Sequence, residues 1–489
     1  MILRALLPEA ILVLGALAVL SAGLARPSAR NSATAAALVF MMMAGAAIVL
    51  FPVNASLLGG MVVAEPLGRL FKMVLLVLGG ATVVFAHDAF PARHYAESLA
   101  LVLFSVTGMM LLAGTEDLLM IFVALELTSI PLYVLAAFNK ESRASAEAGL
   151  KYFLIGSVSA AFLLYGLSLI YGVTGSTNLT SIAVSASSDP LLIAGIVLAL
   201  GGFAFKVAAV PFQLWAPDVY EGGPTPATVL IASGSKVAGV FILARILDTA
   251  LEPWAGSAGA ACFVPGWAPI LAIMAAASMV LGNLAALVQT NVKRILAYSA
   301  IANGGYMLLG LAAPGAETIN AVLFYVVIYA LTTAGAFGVV TVVERQRGGS
   351  RLADFDGLSQ SSPLLALCLM VFLVSLAGIP PLAGFFGKFY LFASVLQNAP
   401  LLWLVVLAIA LNAVSLYYYL IILKHAFVAR ADTVPAPSLA TASRLLVAIL
   451  ALAVIALGLA PGLLLAPLAR ATGGAAAEYL PHAVPRLHR

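Results

Sequence analysis

Apolar residues run along this chain in blocks of about 20, parted by short clusters of Arg, Lys, Asp, Gly and Pro, and about 20 apolar residues in a helix cross a bilayer core. Such blocks begin near residues 5, 34, 70, 95, 117, 148, 190, 227, 266, 295, 319, 363, 401 and 442. The pattern predicts an all-α polytopic membrane protein of about fourteen transmembrane helices. Two blocks are cut by proline. One breaks at Pro211; the other runs from Pro363 to Asn398, breaks at Pro380, and has its second half near residue 384. A proline removes one N–H and strands a carbonyl one turn earlier, so each break must face protein or a hydrated cavity rather than lipid. The first block is one of many and no small-residue cleavage site follows it, so it is expected to be a retained span.

Composition narrows the class. The chain is 63% hydrophobic and 9% charged, whereas about 25% charge is usual in a soluble domain. Its basic residues gather after odd-numbered blocks: Arg26, Arg30, Arg93, Lys140, Arg143, Lys293, Arg294, Arg345, Arg347, Arg351, Arg430 and Arg444, with little beyond Arg69 and Lys72 after even ones. By the positive-inside rule the odd loops are cytoplasmic and both termini lie outside. The net charge of +4 is thus a topology signal, and no nucleic-acid partner is expected. Cys262 and Cys368 form no CxxC pair and are expected to be small buried residues. His87, His94, His425, His482 and His488 lack metal-ligand or haem spacing, and neither a dinucleotide fingerprint nor a phosphate loop occurs, so the chain is expected to hold no metal or cofactor of its own.

Two halves of the sequence match at an offset of about 170 residues. Leu119–Ala137 pairs with Lys293–Leu311, Tyr152–Phe162 with Tyr325–Phe337, and VPFQL around Pro211 with IPPLAG around Pro380. Five crossings per copy is an odd number, so the second copy is inverted, as in many transporters that place ion sites where the repeats meet. The expected divisions are 1–94 (three helices), 95–250 (first repeat), 265–428 (second repeat) and 429–489 (last helix and tail).

Charges deep in a bilayer cost about 2.5 to 3.5 kcal/mol on insertion scales, so each needs a reason. Four are predicted to lie deep. Glu126 is about 13 Å below Asp117, Lys206 precedes the first break, Lys236 is about 15 Å past Pro226, and Lys388 follows the second break. Lys151, a turn inside its span, is able to snorkel. Three lysines to one glutamate is a poor ratio for ion pairs that merely tie helices together. Burial favours the neutral amine and a nearby carboxylate the charged one, so a hydrated line of such groups is a proton relay. This favours cation translocation over a solute carrier or a purely structural subunit.

Five motifs then carry a resemblance: SLALVLFSVTGMMLLAGTEDLLMIFVALELTSIPLYVLAAF, EAGLKYFLIGSVSAAFLLYGLSLIYG, FKVAAVPFQLWAPDVYEGGPTPAT, QTNVKRILAYSAIANGGY and AGIPPLAGFFGKFY. Over roughly residues 60 to 430 the chain closely resembles the antiporter-like N subunits of bacterial NADH-quinone oxidoreductase, respiratory complex I. The resemblance implies a fourteen-span subunit of the membrane arm in the bacterial inner membrane. It also implies proton translocation through Glu126, Lys151, Lys206, Lys236 and Lys388, giving Lys151 a functional role. Lys206 would be the titrating lysine, Glu126 its partner, Lys236 the central relay and Lys388 the terminal group, with Lys151 bridging from the cytoplasm or the adjacent half. FMN, iron-sulfur clusters and quinone are implied in partner subunits, and the M-type antiporter-like subunit, small membrane subunits and lipids as neighbours. M-type subunits look similar but carry glutamate where this chain has Lys388; L-type subunits continue into a long lateral helix. Relatives often have histidine where this chain has Gln213 and Asn303, which puts an imidazole relay at those points in doubt. The runner-up is a subunit of a multisubunit sodium/proton antiporter; a structural spacer is a third class.

Overall fold

The computed structural model describes residues 1–25, 30–90, 94–185, 189–260, 262–398, 400–429 and 441–472. The expected loop cations Arg26, Arg93 and Arg430 and the tail histidines His482 and His488 lie outside them. Helices α1 (Leu7–Ala25), α2 (Arg30–Leu50) and α3 (Pro66–Ala89) lead into α4 (Tyr95–Leu112), α5 (Leu118–Ala136), α6 (Arg143–Thr174) and α7 (Pro190–Val207). After the first break come α8 (Trp215–Gly222), α9 (Thr225–Ala232) and α10 (Gly234–Arg245). The second half holds α11 (Trp267–Ala286), α12 (Val292–Leu311), α13 (Ala316–Arg347), the broken pair α14 (Pro363–Ala377) and α15 (Ala383–Asn398), then α16 (Leu402–Phe427), α17 (Thr441–Leu459) and the short α18 (Gly462–Ala471).

Among the described residues 12 helices are long and apolar enough to cross a membrane, so this is a multi-pass membrane protein. Two expected crossings fall outside that group for physical reasons. Helix α12 has the length but carries Lys293, Arg294, Asn303, Ser299 and three glycines; α14 and α15 are each too short alone because a proline turn divides them. Residues 225–247 are buried throughout and most of α13 is as well, and α13 packs against α3, α9, α10, α14, α15 and α17. The outer faces of α2, α6 and α17 leave Met42, Phe153, Tyr165 and Leu452 exposed, as a lipid-facing belt requires.

The two halves repeat local devices. Asp117 caps α5 by accepting from Met120 N–H and bridges Asn178; Asn291 caps α12 by accepting from Lys293 and Arg294 N–H and bridges Arg351. These two joints are at opposite ends of the bundle. Segments following even-numbered crossings meet at one end, where Asn178 Nδ2 donates to Gly59 O and Trp403 Nε1 to Ala258 O. Segments following odd-numbered crossings meet at the other, where Lys293 Nζ donates to Gly223 O and Gly357 N–H to His425 O. One expectation fails: Cys368 is buried, but Cys262 is exposed, because it lies in a two-stranded hairpin (Ser257–Gly259 with Cys262–Val264) rather than in a span.

Candidate functional site

The first break is built where α7 ends. Ala208 takes a left-handed conformation (φ 59°), the chain turns through Val210–Pro211, and Val210 N–H donates to Ser278 Oγ at 2.9 Å. Pro211 has no N–H, so Val207 O loses its helical partner. Lys206, in the last turn of α7, is buried, and its amine donates to Ser129 Oγ on α5. Glu126 lies on the same helix three residues before Ser129. It is half-buried at the flank of α5 rather than enclosed, because its neighbours Val123 and Ile130 form the helix's exposed face. It also makes no direct ion pair with Lys206 among the described residues; Ser129 takes the amine instead.

Lys236 lies within the enclosed α10 and donates to Ala300 O of α12 at 2.6 Å, with its amine 5.2 Å from the centre of the Tyr329 ring of α13. Gly304, the next turn of α12, explains the close approach. A Cβ there would lie 3.0 Å from Val207 O and 3.7 Å from Lys236 Nζ, so a bare backbone lets the stranded carbonyl and the amine border the same spot. Gln213 Oε1 and Trp215 Nε1, just past the break, are buried without a hydrogen-bond partner among the described residues, as groups that bind ordered water are.

From Lys236 toward Lys388 the interior is lined by hydroxyls and amides. Asn303 Nδ2 donates to Ser299 O at 2.8 Å, and Asn303 Oδ1 accepts from Tyr325 OH at 2.5 Å. Ser299 Oγ and Tyr419 OH share a hydrogen bond of 2.5 Å. Tyr418, its ring 4.5 Å from that of Tyr419, donates to Asn283 Oδ1 at 3.1 Å, and Asn283 Nδ2 reaches Tyr306 OH at 3.5 Å. The Lys388 amine stands 5.0 Å from the centre of the Tyr306 ring.

The second break completes the line. Gly378 is left-handed (φ 78°), and Pro380 and Pro381 strand the carbonyls four residues before each, Leu376 O and Ala377 O. Lys388 Nζ donates to Leu376 O at 2.6 Å, and Asn412 Nδ2 to Ala377 O at 3.1 Å. Asn412 Oδ1 accepts from Lys388 at 2.5 Å. Both orphan acceptors are therefore satisfied by side chains of the site itself.

Lys151 stands apart from this line. It pairs with Glu147 and with Asp218 of α8, each at 2.6 Å, with its side chain 40% exposed. Asp218 also accepts from Arg294, which reaches Glu221. Four further buried charges escaped the sequence reading, because they sit near span ends and were counted with the loops or passed over. Lys72 of α3 pairs with Glu9 of α1 at 2.6 Å, Arg245 with Glu65, and Lys293 with Glu344 at 3.1 Å. The hydroxyl and amide line was missed too, apart from Asn303; lone amides in mid-span at Asn283 and Asn412 were the available signal.

A many-spanned helical bundle with two broken helices, each beside a buried lysine, is an antiporter-like membrane protein. The chain belongs to the family described as NADH:quinone oxidoreductase/Mrp antiporter, TM, which matches residues 115–414. It is similar to NADH-quinone oxidoreductase subunit N 2 of Acidobacterium capsulatum, with 45% identity over 95% of this chain and 98% of that one. Its structure is similar to a chain of respiratory complex I from Thermus thermophilus with bound aureothin (TM-score 0.81, 36% identity, 96% of this chain and 100% of that chain). It is also similar to a chain of the Mrp complex from Dietzia sp. DQ12-45-1b (TM-score 0.84, 23% identity, 97% of both chains), a likeness of fold alone.

Proposed function

We propose that this chain is the N-type antiporter-like subunit of a bacterial NADH-quinone oxidoreductase and moves protons across the inner membrane while partner subunits carry electrons. The observation that carries this reading is the run of polar groups from Ser129 and Lys206, past Val207 O and Lys236, through Asn303, Ser299, Tyr419, Tyr418 and Asn283 to Tyr306 and Lys388. Lys206 titrates and the charge of Glu126 biases it; Lys236 is the central relay and Lys388 the terminal group. Lys151, tied to Asp218 on α8, passes changes at the cytoplasmic end to the first broken helix. FMN, iron-sulfur clusters and quinone reside in partners, and the M-type subunit, small membrane subunits and lipids adjoin this chain. Residues 95–250 and 265–428 form inverted five-helix repeats between 1–94 and 429–489, giving fourteen crossings with both termini periplasmic. The paired joints Asp117–Asn178 and Asn291–Arg351 at opposite ends support that arrangement.

The test uses the assembled complex in sealed vesicles. Lys206→Ala and Glu126→Ala are each expected to lose pumping-coupled activity while the complex still assembles. A wild-type proton gradient per NADH oxidised in either variant overturns the role given to that residue. The second reading, a subunit of a multisubunit sodium/proton antiporter, draws on the likeness to the Mrp chain. Co-purification of flavin-containing partners in mild detergent excludes it; their absence favours it.

A further inference from the structure

We propose that the cavity between the adjoining ends of α4, α5 and α6 is the vestibule through which protons enter toward Lys206, and that Tyr133 and Ser129 carry them across its floor. The inference rests on the function proposed above. The cavity measures about 590 Å³, room for on the order of twenty waters at roughly 30 Å³ each. It lies at the end of the bundle where segments following odd-numbered crossings gather. Its rim is titratable: His94 and Glu97 from the start of α4 pair at 3.2 Å and are each more than one-third exposed, and Lys140 follows α5. Its walls, including Val134 and Phe153, are apolar, so its polar exits are the rim and the floor.

Tyr133 is that floor. Tyr133, Ser129 and Glu126 are spaced by four and three residues and so share one face of α5. The Tyr133 ring lines the cavity yet is 7% exposed, packed edge-on against Tyr152 at 4.7 Å. Its phenol oxygen occupies space left by Gly156 of α6, where a Cβ would collide with it, and the ring stands one helical turn from Ser129, four residues away on the same face. Ser129 Oγ in turn receives the Lys206 amine. When that amine is neutral, the Ser129 hydroxyl turns from Leu125 O and gives its proton to the amine lone pair, Ser129 takes the phenolic proton of Tyr133, and a hydronium in the vestibule protonates the Tyr133 oxygen and is left as water. One proton enters, one reaches Lys206, and both hydroxyls are regenerated.

The experiment compares Tyr133→Phe, Ser129→Ala, Lys206→Ala and Tyr152→Phe in the assembled complex in sealed vesicles, reading NADH-driven proton translocation and the KM for NADH. Tyr133→Phe and Ser129→Ala are expected to lower proton-coupled turnover at least tenfold without moving KM, and Tyr152→Phe to stay within twofold of wild type. Val134→Cys, with Cys262 and Cys368 replaced, adds a test that leaves the floor intact. A bulky, charged thiol reagent applied from the cytoplasmic side is expected to slow translocation severalfold, and a reductant to restore it. Wild-type translocation in Tyr133→Phe together with insensitivity of the modified Val134→Cys protein overturns the vestibule while Lys206→Ala remains impaired. Wild-type translocation in Lys206→Ala overturns the underlying function instead.

Discussion

Lys388 shows how a proline makes a polar site at the scale of one residue. The prolines strand Leu376 O and Ala377 O, and the Lys388 amine at 2.6 Å and the Asn412 amide at 3.1 Å take them up. Asn303 plays a comparable part at the middle of the line, since it holds Ser299 and Tyr325 together. Asn303→Leu is therefore expected to lower coupled activity at least tenfold, whereas Asn303→His, which keeps a donor and an acceptor, retains most of it; vesicle assays of proton translocation per NADH distinguish the two. The deep lysines were legible from distance along a helix, because a charge far from either end of an apolar block has few alternatives to an internal partner. The half-buried placement of Glu126 at the flank of α5 was not, since depth along an axis says nothing about which way a side chain faces. Nor were the tyrosines: Tyr306, Tyr325, Tyr418 and Tyr419 look like ordinary apolar filling until α11, α12, α13 and α16 are brought together.

At the scale of elements, the two breaks solve one problem with different residues. Ala208 and Gly378 hold equivalent left-handed positions three residues before Pro211 and Pro381. A side chain in that conformation costs about 1 to 2 kcal/mol, partly offset by the roughly 0.5 to 1 kcal/mol of extra chain entropy that glycine loses. Ala208→Gly should therefore raise stability by up to about 1 kcal/mol. Gly378→Ala should cost up to about 1 kcal/mol from the backbone alone and also displace Lys388, whose Cδ would lie 3.1 Å from the new methyl. Thermal inactivation of the assembled complex reads both shifts, and equal behaviour of the two variants would refute the strain argument. The offset between repeats made this pairing visible in the sequence; the left-handed residue did not announce itself, because alanine is a helix former nearly everywhere else in this chain. The tie between α1 and α3 was equally hidden, since Glu9 and Lys72 are far apart in sequence. Lys72→Met leaves Glu9 buried and uncompensated, at a cost of about 3 to 5 kcal/mol, while the double change Glu9→Met with Lys72→Met is expected to recover most of that loss. A double variant no more stable than the single one would show that the pair is not the cause.

The whole molecule turns on which end faces which compartment, since a relay between broken helices has direction only if its two mouths open on opposite sides. Charge bias along the sequence assigns the odd loops to the cytoplasm, and the fold is consistent with one such division, because segments of those loops meet one another, Lys293 with Gly223 and Gly357 with His425. The native cysteines provide the measurement. Cys262 is exposed on the hairpin that meets Trp403 at the end shared by segments following even-numbered crossings, and Cys368 is buried in α14. A membrane-impermeant maleimide should therefore label this chain at Cys262 alone, in right-side-out vesicles and not in inside-out ones, and Cys262→Ser should abolish the signal. Labelling confined to inside-out vesicles would invert the topology, placing the His94–Glu97 rim outside and Lys151 with its Asp218 partner at the periplasmic face, so that the vestibule became an exit. The orientation thus decides the direction of the proposed chemistry, and a single exposed thiol reads it.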